Sequence, residues 1–169
     1  MTLTPTVTLI LNGAPTTLHA ESGRRLSDVL REDAGQRDVK VGCDAGDCGA
    51  CTILLNDAPV CACLTPVIQA EGARIVTARG LGEPALSRLQ EAFLRHGAAQ
   101  CGICTPGMLA AAAALLAAAP TPTRAEVETA LAGVLCRCTG YQKIVDAVVD
   151  AANPAPAPPP PGRGSAVGQ

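Results

Sequence analysis

The chain has 169 residues, 48% of them hydrophobic and 17% charged, which fits one ordinary domain or two small ones and is too apolar for a disordered tail. Thirteen basic against fifteen acidic side chains, no Lys/Arg-dense run, no Trp, one Tyr and one Phe exclude a general nucleic-acid binder and a base-stacking platform. The longest strongly apolar stretch, 108–119, is too short to span a bilayer, and no secretory signal is visible; a cytoplasmic protein is expected.

Val7, Leu9 and Leu11 alternate with their neighbours as in a strand, Asn12-Gly13-Ala14-Pro15 reads as a turn, and 16–20 returns as the second arm of a hairpin. Leu26, Val29 and Leu30 have helical spacing. Residues 52–55 and 59–63 flank Asn56-Asp57 as a second hairpin, and 74–78 reads as a further strand. Strands around one short helix and a cysteine-rich loop predict a small α+β domain over 1–80. From Leu81 the period becomes helical. Leu86, Leu89, Phe93 and Leu94 mark one helix closed by Gly97. Thr105 caps a second with Pro106 at its first position, Thr123 and Glu126 form a capping box for a third, and 141–152 forms a fourth. Four short helices predict a bundle over 81–152, followed by a proline-rich, solvated tail over 153–169.

Nine cysteines are an odd number, which disfavours a purely disulfide framework, and they cluster. Cys43-x4-Cys48-x2-Cys51 with a later cysteine matches the plant-type spacing for a [2Fe–2S] cluster, with Gly42, Gly46 and Gly49 between the ligands. Zinc fits the x4 gap and glycine-rich loop less well. Cys61 and Cys63 compete for the fourth position. In a strand both point to one face, so alternation does not choose between them; Cys63 is taken as ligand and Cys61 as a small buried hydrophobe. The second group, Cys101-x2-Cys104 and Cys136-x-Cys138, lies at helix ends and on spacing alone fits zinc or a second iron–sulfur cluster.

The strings GCDAGDCGACTILL, CLTP, QCGICTPGM and LCRCTGYQKI occur in that order. Together they resemble the small iron–sulfur subunit or domain of the molybdenum hydroxylases, the xanthine dehydrogenase, aldehyde oxidoreductase and carbon monoxide dehydrogenase type. The resemblance spans about residues 4–152. It implies a β-grasp, ferredoxin-like domain followed by a four-helix bundle, each with one [2Fe–2S] cluster. By position it implies Cys43, Cys48, Cys51 and Cys63 as ligands of the first, with Cys63 supported by the following Leu64. Cys101, Cys104, Cys136 and Cys138 are implied as ligands of the second. Gln100 and Cys138 match positions that face the pterin of a molybdenum cofactor held by a large partner subunit. A medium subunit carrying FAD and a dimer of heterotrimers are further implied. Ile103 and Val134 depart from the residues common at their positions; Val134 is expected to alter hydrogen bonding near the second cluster.

His19 and His96 are expected in surface or local hydrogen-bonding roles, Asp44 and Asp47 in a solvated loop, and Arg137 in a charge-compensating or interface role. No residue of this chain is expected to act as acid, base or nucleophile. The leading reading is an electron-transfer subunit. A free ferredoxin leaves the helical half unexplained, and a zinc-stabilised interaction module would carry no acid-labile sulfide.

Overall fold

The structure, a computed structural model, describes residues 6–82 and 87–153. Leu86 and the tail 154–169 lie outside the described residues. β1 (Thr6–Leu11) and β2 (Ala14–His19) form an antiparallel hairpin in which Val7, Leu9 and Leu11 turn inward. The turn is only Asn12-Gly13, both at positive φ (50° and 84°), as a tight two-residue connection requires. Strand β2 therefore starts earlier than the composition suggested. Pro15 is tolerated there because β2 is an edge strand.

Helix α1 (Leu26–Glu32) buries Leu26, Val29 and Leu30 against the sheet residues Val7, Leu9 and Ile53 in a single core. β3 (Thr52–Leu55) and β4 (Ala58–Cys61) form the second hairpin around Asn56-Asp57, and β5 (Arg74–Val76) completes a five-stranded mixed sheet of order β2-β1-β5-β3-β4. β5 is parallel to β1 and antiparallel to β3. It ends short of the expected 78 because Asn12 captures the chain: its Oδ1 accepts the Thr77 N–H at 2.9 Å and its Nδ2 donates to Thr77 Oγ1 at 3.1 Å. β4 also ends early. Residues Ala62–Leu64 form a 3-10 turn, so Cys61 and Cys63 do not share a strand and the alternation argument does not apply to them.

The second half contains α2 (Arg88–His96), α3 (Thr105–Ala118), α4 (Arg124–Leu131) and α5 (Gln142–Ala152). Their shared core includes Phe93, Met108, Val127, Leu131, Ile144 and Val148. Ser87 and Gln90 cap α2 reciprocally and Gly97 ends it at φ 59°. Thr123 and Glu126 cap α4 as the sequence indicated. Cys104, not Thr105, is the N-cap of α3; Thr105 is already its first helical residue. Among the described residues no helix is long and apolar enough to cross a membrane. A ferredoxin-like half and a helical half are thus present, as expected.

The halves meet along β3, whose Thr52 and Leu54 are buried on the side opposite Ile53, against α3. Backbone meets backbone at this seam. A Cβ at Gly107 would lie 2.4 Å from the Gly49 carbonyl oxygen, and one at Gly49 would lie 2.1 Å from the Gly133 carbonyl oxygen. Replacing glycine by alanine within a helix ordinarily gains about 1 kcal/mol. Here the backbone oxygen cannot yield, so Gly107→Ala is expected to cost about 1–3 kcal/mol instead. A lower midpoint for loss of the helical far-ultraviolet signal checks this; an unchanged or raised midpoint contradicts the close approach.

Candidate metal centres

The first cysteine set sits on the loop between α1 and β3 and on the turn after β4. Cys43 is exposed, Cys48 half-buried, and Cys51 and Cys63 buried. The loop folds tightly because Gly46 and Gly49 adopt φ 83° and 65°. Leu64 packs so closely over Gly46 that a Cβ there would lie 2.3 Å from its Cδ1. Backbone N–H groups turn toward sulfur: Ala45 and Cys48 donate to Cys43 Sγ at 3.4 Å each, and Cys63 donates to Cys51 Sγ at 3.5 Å. The Ala45 and Cys48 amides bring the free Cys43 thiol down to about 7, whereas burial raises Cys51 and pushes Cys63 up to about 11.

Cys61 belongs to the same neighbourhood. Its thiol is raised by burial and by the charge of Cys63, and its Sγ lies 3.9 Å from the Gly46 carbonyl. It lines an apolar groove of about 340 Å³ with Pro59, Val60, Ala111 and Leu115. Asp44 pairs with Arg25 at 3.2 Å rather than standing alone in solvent, an exposed pair of small energetic weight.

The second set gathers where α3 begins and where the loop between α4 and α5 passes it. Exposed Cys101 and Cys138 approach to 3.6 Å between sulfurs, while Cys104 is buried and Cys136 half-buried. Burial pushes Cys104 up to about 12. Burial also acts to raise Cys136, but the Thr139 side chain and nearby backbone amides outweigh it and bring that thiol to about 7. Gln100 is exposed beside Cys101, and Arg137 is exposed between Cys136 and Cys138.

Tyr141 organises this loop. Its hydroxyl accepts the Cys136 N–H at 2.9 Å and donates to the Val134 carbonyl at 3.3 Å. Thr139 Oγ1 lies 3.0 Å from Cys136 Sγ and accepts the Tyr141 N–H at 3.1 Å. These bonds hold Tyr141 at φ 68°, a conformation that costs a non-glycine residue about 1–2 kcal/mol. Val134 is buried at the seam, and it is its carbonyl, not its side chain, that enters the hydrogen-bonding network. His19 and His96 lie in local pairings, with Thr6 at 3.4 Å and Asp150 at 3.1 Å.

In the second set two sulfurs approach to 3.6 Å, and in both sets backbone or hydroxyl groups lie near sulfur, where they stabilise negative charge. Two irons and two sulfides take thiolates arranged around one compact object. Beside the second set, Thr105 Oγ1 is buried and without a partner, the single such side-chain atom among the described residues. An unsatisfied buried hydroxyl costs about 1–3 kcal/mol, so this one favours a partner that the protein itself does not supply. Both sets fit the group.

A sheet-based half and a helical half, each with its own cysteine set, define a protein with two [2Fe–2S]-binding domains. Residues 9–72 match the family described as "2Fe-2S iron-sulfur cluster binding domain" and residues 77–149 the family "[2Fe-2S] binding domain". The chain is 52% identical to the nicotine 6-hydroxylase small subunit of Paenarthrobacter nicotinovorans, over 83% of this chain and 86% of that protein. It is 45% identical to the xanthine dehydrogenase iron-sulfur-binding subunit of Escherichia coli O157:H7, over 87% and 94%. Quinoline 2-oxidoreductase from Pseudomonas putida superposes with a TM-score of 0.86 at 46% identity, over 89% of this chain and 94% of that chain. The chain belongs to the small iron–sulfur subunits of the molybdenum hydroxylase family, the iron–sulfur components of multi-subunit oxidoreductases.

Removing the Tyr141 hydroxyl isolates its contribution. Tyr141→Phe leaves the Cys136 N–H and the Val134 carbonyl without this partner and is expected to destabilise the fold by about 1–3 kcal/mol. Equilibrium unfolding of the metal-free chain measures it, and an unchanged midpoint would show that water replaces the hydroxyl at no cost.

Proposed function

We propose that this chain is the electron-transfer subunit of a molybdenum hydroxylase, carrying electrons from a molybdenum–pterin centre in a large partner subunit to a flavin subunit or another acceptor. Cys43, Cys48, Cys51 and Cys63 hold one [2Fe–2S] cluster in a β-grasp domain over 1–80. Cys101, Cys104, Cys136 and Cys138 hold the other in a four-helix bundle over 81–152. When bound, each cluster accepts and releases one electron at a time. Gln100 and Cys138, exposed together with Cys101 on one rim, face the pterin. A medium FAD subunit, a dimer of heterotrimers and a cytoplasmic location complete the reading.

One observation carries most weight. The Leu135 N–H donates to the Cys48 carbonyl at 2.8 Å, so a residue bonded to Cys136 is tied directly to a member of the other thiol set. A backbone hydrogen bond ties the two sets together, as a relay needs and as two independent structural metals do not. The chain's own residues supply position, charge compensation and partial exclusion of water; none is required to move a proton.

Purified protein is expected to contain about four irons and about four acid-labile sulfides, two of each per cluster, with two distinct paramagnetic signals on reduction and co-purification with a large subunit. Half that iron with one signal, or zinc without sulfide, would sink the reading. Within it, Cys63→Ser is expected to abolish the signal of the sheet-half cluster, whereas Cys61→Ser should retain both signals. The reverse pattern would move the fourth ligand to Cys61.

A further inference from the structure

We infer that Thr105 tunes the cluster of the helical half, its hydroxyl donating a hydrogen bond to a sulfur of the group held by Cys104; this rests on the function proposed above. Thr105 Oγ1 is buried and has no acceptor or donor within the protein. Because it is buried in the isolated chain, a subunit docking on the surface does not reach it. Thr105 is the first residue of α3, directly after Cys104, whose sulfur lies at the foot of that helix.

The surroundings give the hydroxyl a task. Cys104 is buried, and a thiolate there lacks the water that stabilises charge at exposed Cys101 and Cys138. The same centre already places one threonine hydroxyl at a sulfur, Thr139 at 3.0 Å from Cys136 Sγ. In the sheet half the donors bonded to ligand sulfur are backbone amides, which no side-chain substitution removes. Reduction adds one electron and concentrates negative charge on the sulfurs. An O–H donor therefore stabilises the reduced form more than the oxidised form and raises the potential.

The test uses the full chain in its complex, with both clusters titrated by their separate paramagnetic signals. Thr105→Val and Thr105→Ala both remove the hydroxyl but differ in bulk; Thr105→Ser keeps it. At the wild-type midpoint, each hydroxyl-free variant is expected to show about a tenfold higher oxidised-to-reduced ratio for the helical-half cluster, equivalent to about 59 mV for one electron. Thr105→Ser should stay near wild type, and the sheet-half cluster should not move in any variant. Loss of the helical-half cluster in both hydroxyl-free variants, with its retention in Thr105→Ser, also supports the inference. Unchanged potentials, a shift in only one of the two hydroxyl-free variants, a joint shift of both clusters, or loss of the cluster in all three variants overturns it. Iron content keeps the two levels apart. A wild-type chain with fewer than about four irons fails the functional reading, while a fully loaded one with immobile potentials fails Thr105 alone.

Discussion

The close approach of Gly49 to Gly107 and to the Gly133 carbonyl is the constraint on which the rest of the molecule depends. Two polypeptide backbones touch with no side chain between them, and the touching segments are those that carry the thiols. Gly49 lies between Cys48 and Cys51, Gly107 just after Cys104, and Gly133 just before Cys136. Backbone contact fixes distance more tightly than side-chain packing, because a carbonyl has no rotamer to adjust. The Leu135–Cys48 hydrogen bond follows from that approach, as does the burial of β3 on both faces.

Charge is managed differently on the two sides of the seam. Each set pairs buried with solvent-facing thiols: Cys51 and Cys63 with Cys43, Cys104 with Cys101 and Cys138. The buried members resist ionisation as free thiols, and the exposed Cys43 and Cys101 are eased toward it by backbone amides. Under the proposed ligand assignment, metal binding would have to overcome the first and would exploit the second. The sheet half meets this need with a glycine-rich loop that turns its N–H groups inward. The helical half uses the Ile103 amide at Cys101 and the Thr139 hydroxyl at Cys136.

Much of this was legible in the residues, and the misses have causes. TILL gave β3 its bounds because a short apolar run between turn signals suits a strand covered on both sides. Thr123 and Glu126 announced α4 through their reciprocal cap. Ser87 and Gln90 carry the same kind of signal for α2. The Cys61/Cys63 comparison failed because a 3-10 turn replaces the strand after Cys61, and nothing in ACL marks that change. β5 stops early because the Thr77 N–H donates to Asn12 Oδ1, sixty-five positions away in sequence. The seam glycines and the clamp by Tyr141 arise from tertiary contacts, to which local periodicity is blind. The tyrosine's left-handed backbone runs against its own preference and is held only by its neighbours.

Tyr141 has an optical consequence. The chain contains no tryptophan and no second tyrosine, so its phenolic absorption and emission come from one ring, wedged in the loop that carries Cys136 and Cys138. In the metal-free chain the sheet half is silent at those wavelengths. Before a cluster is loaded, a single native chromophore thus observes the local order of the helical-half thiol loop, separately from the rest of the chain and without an attached dye.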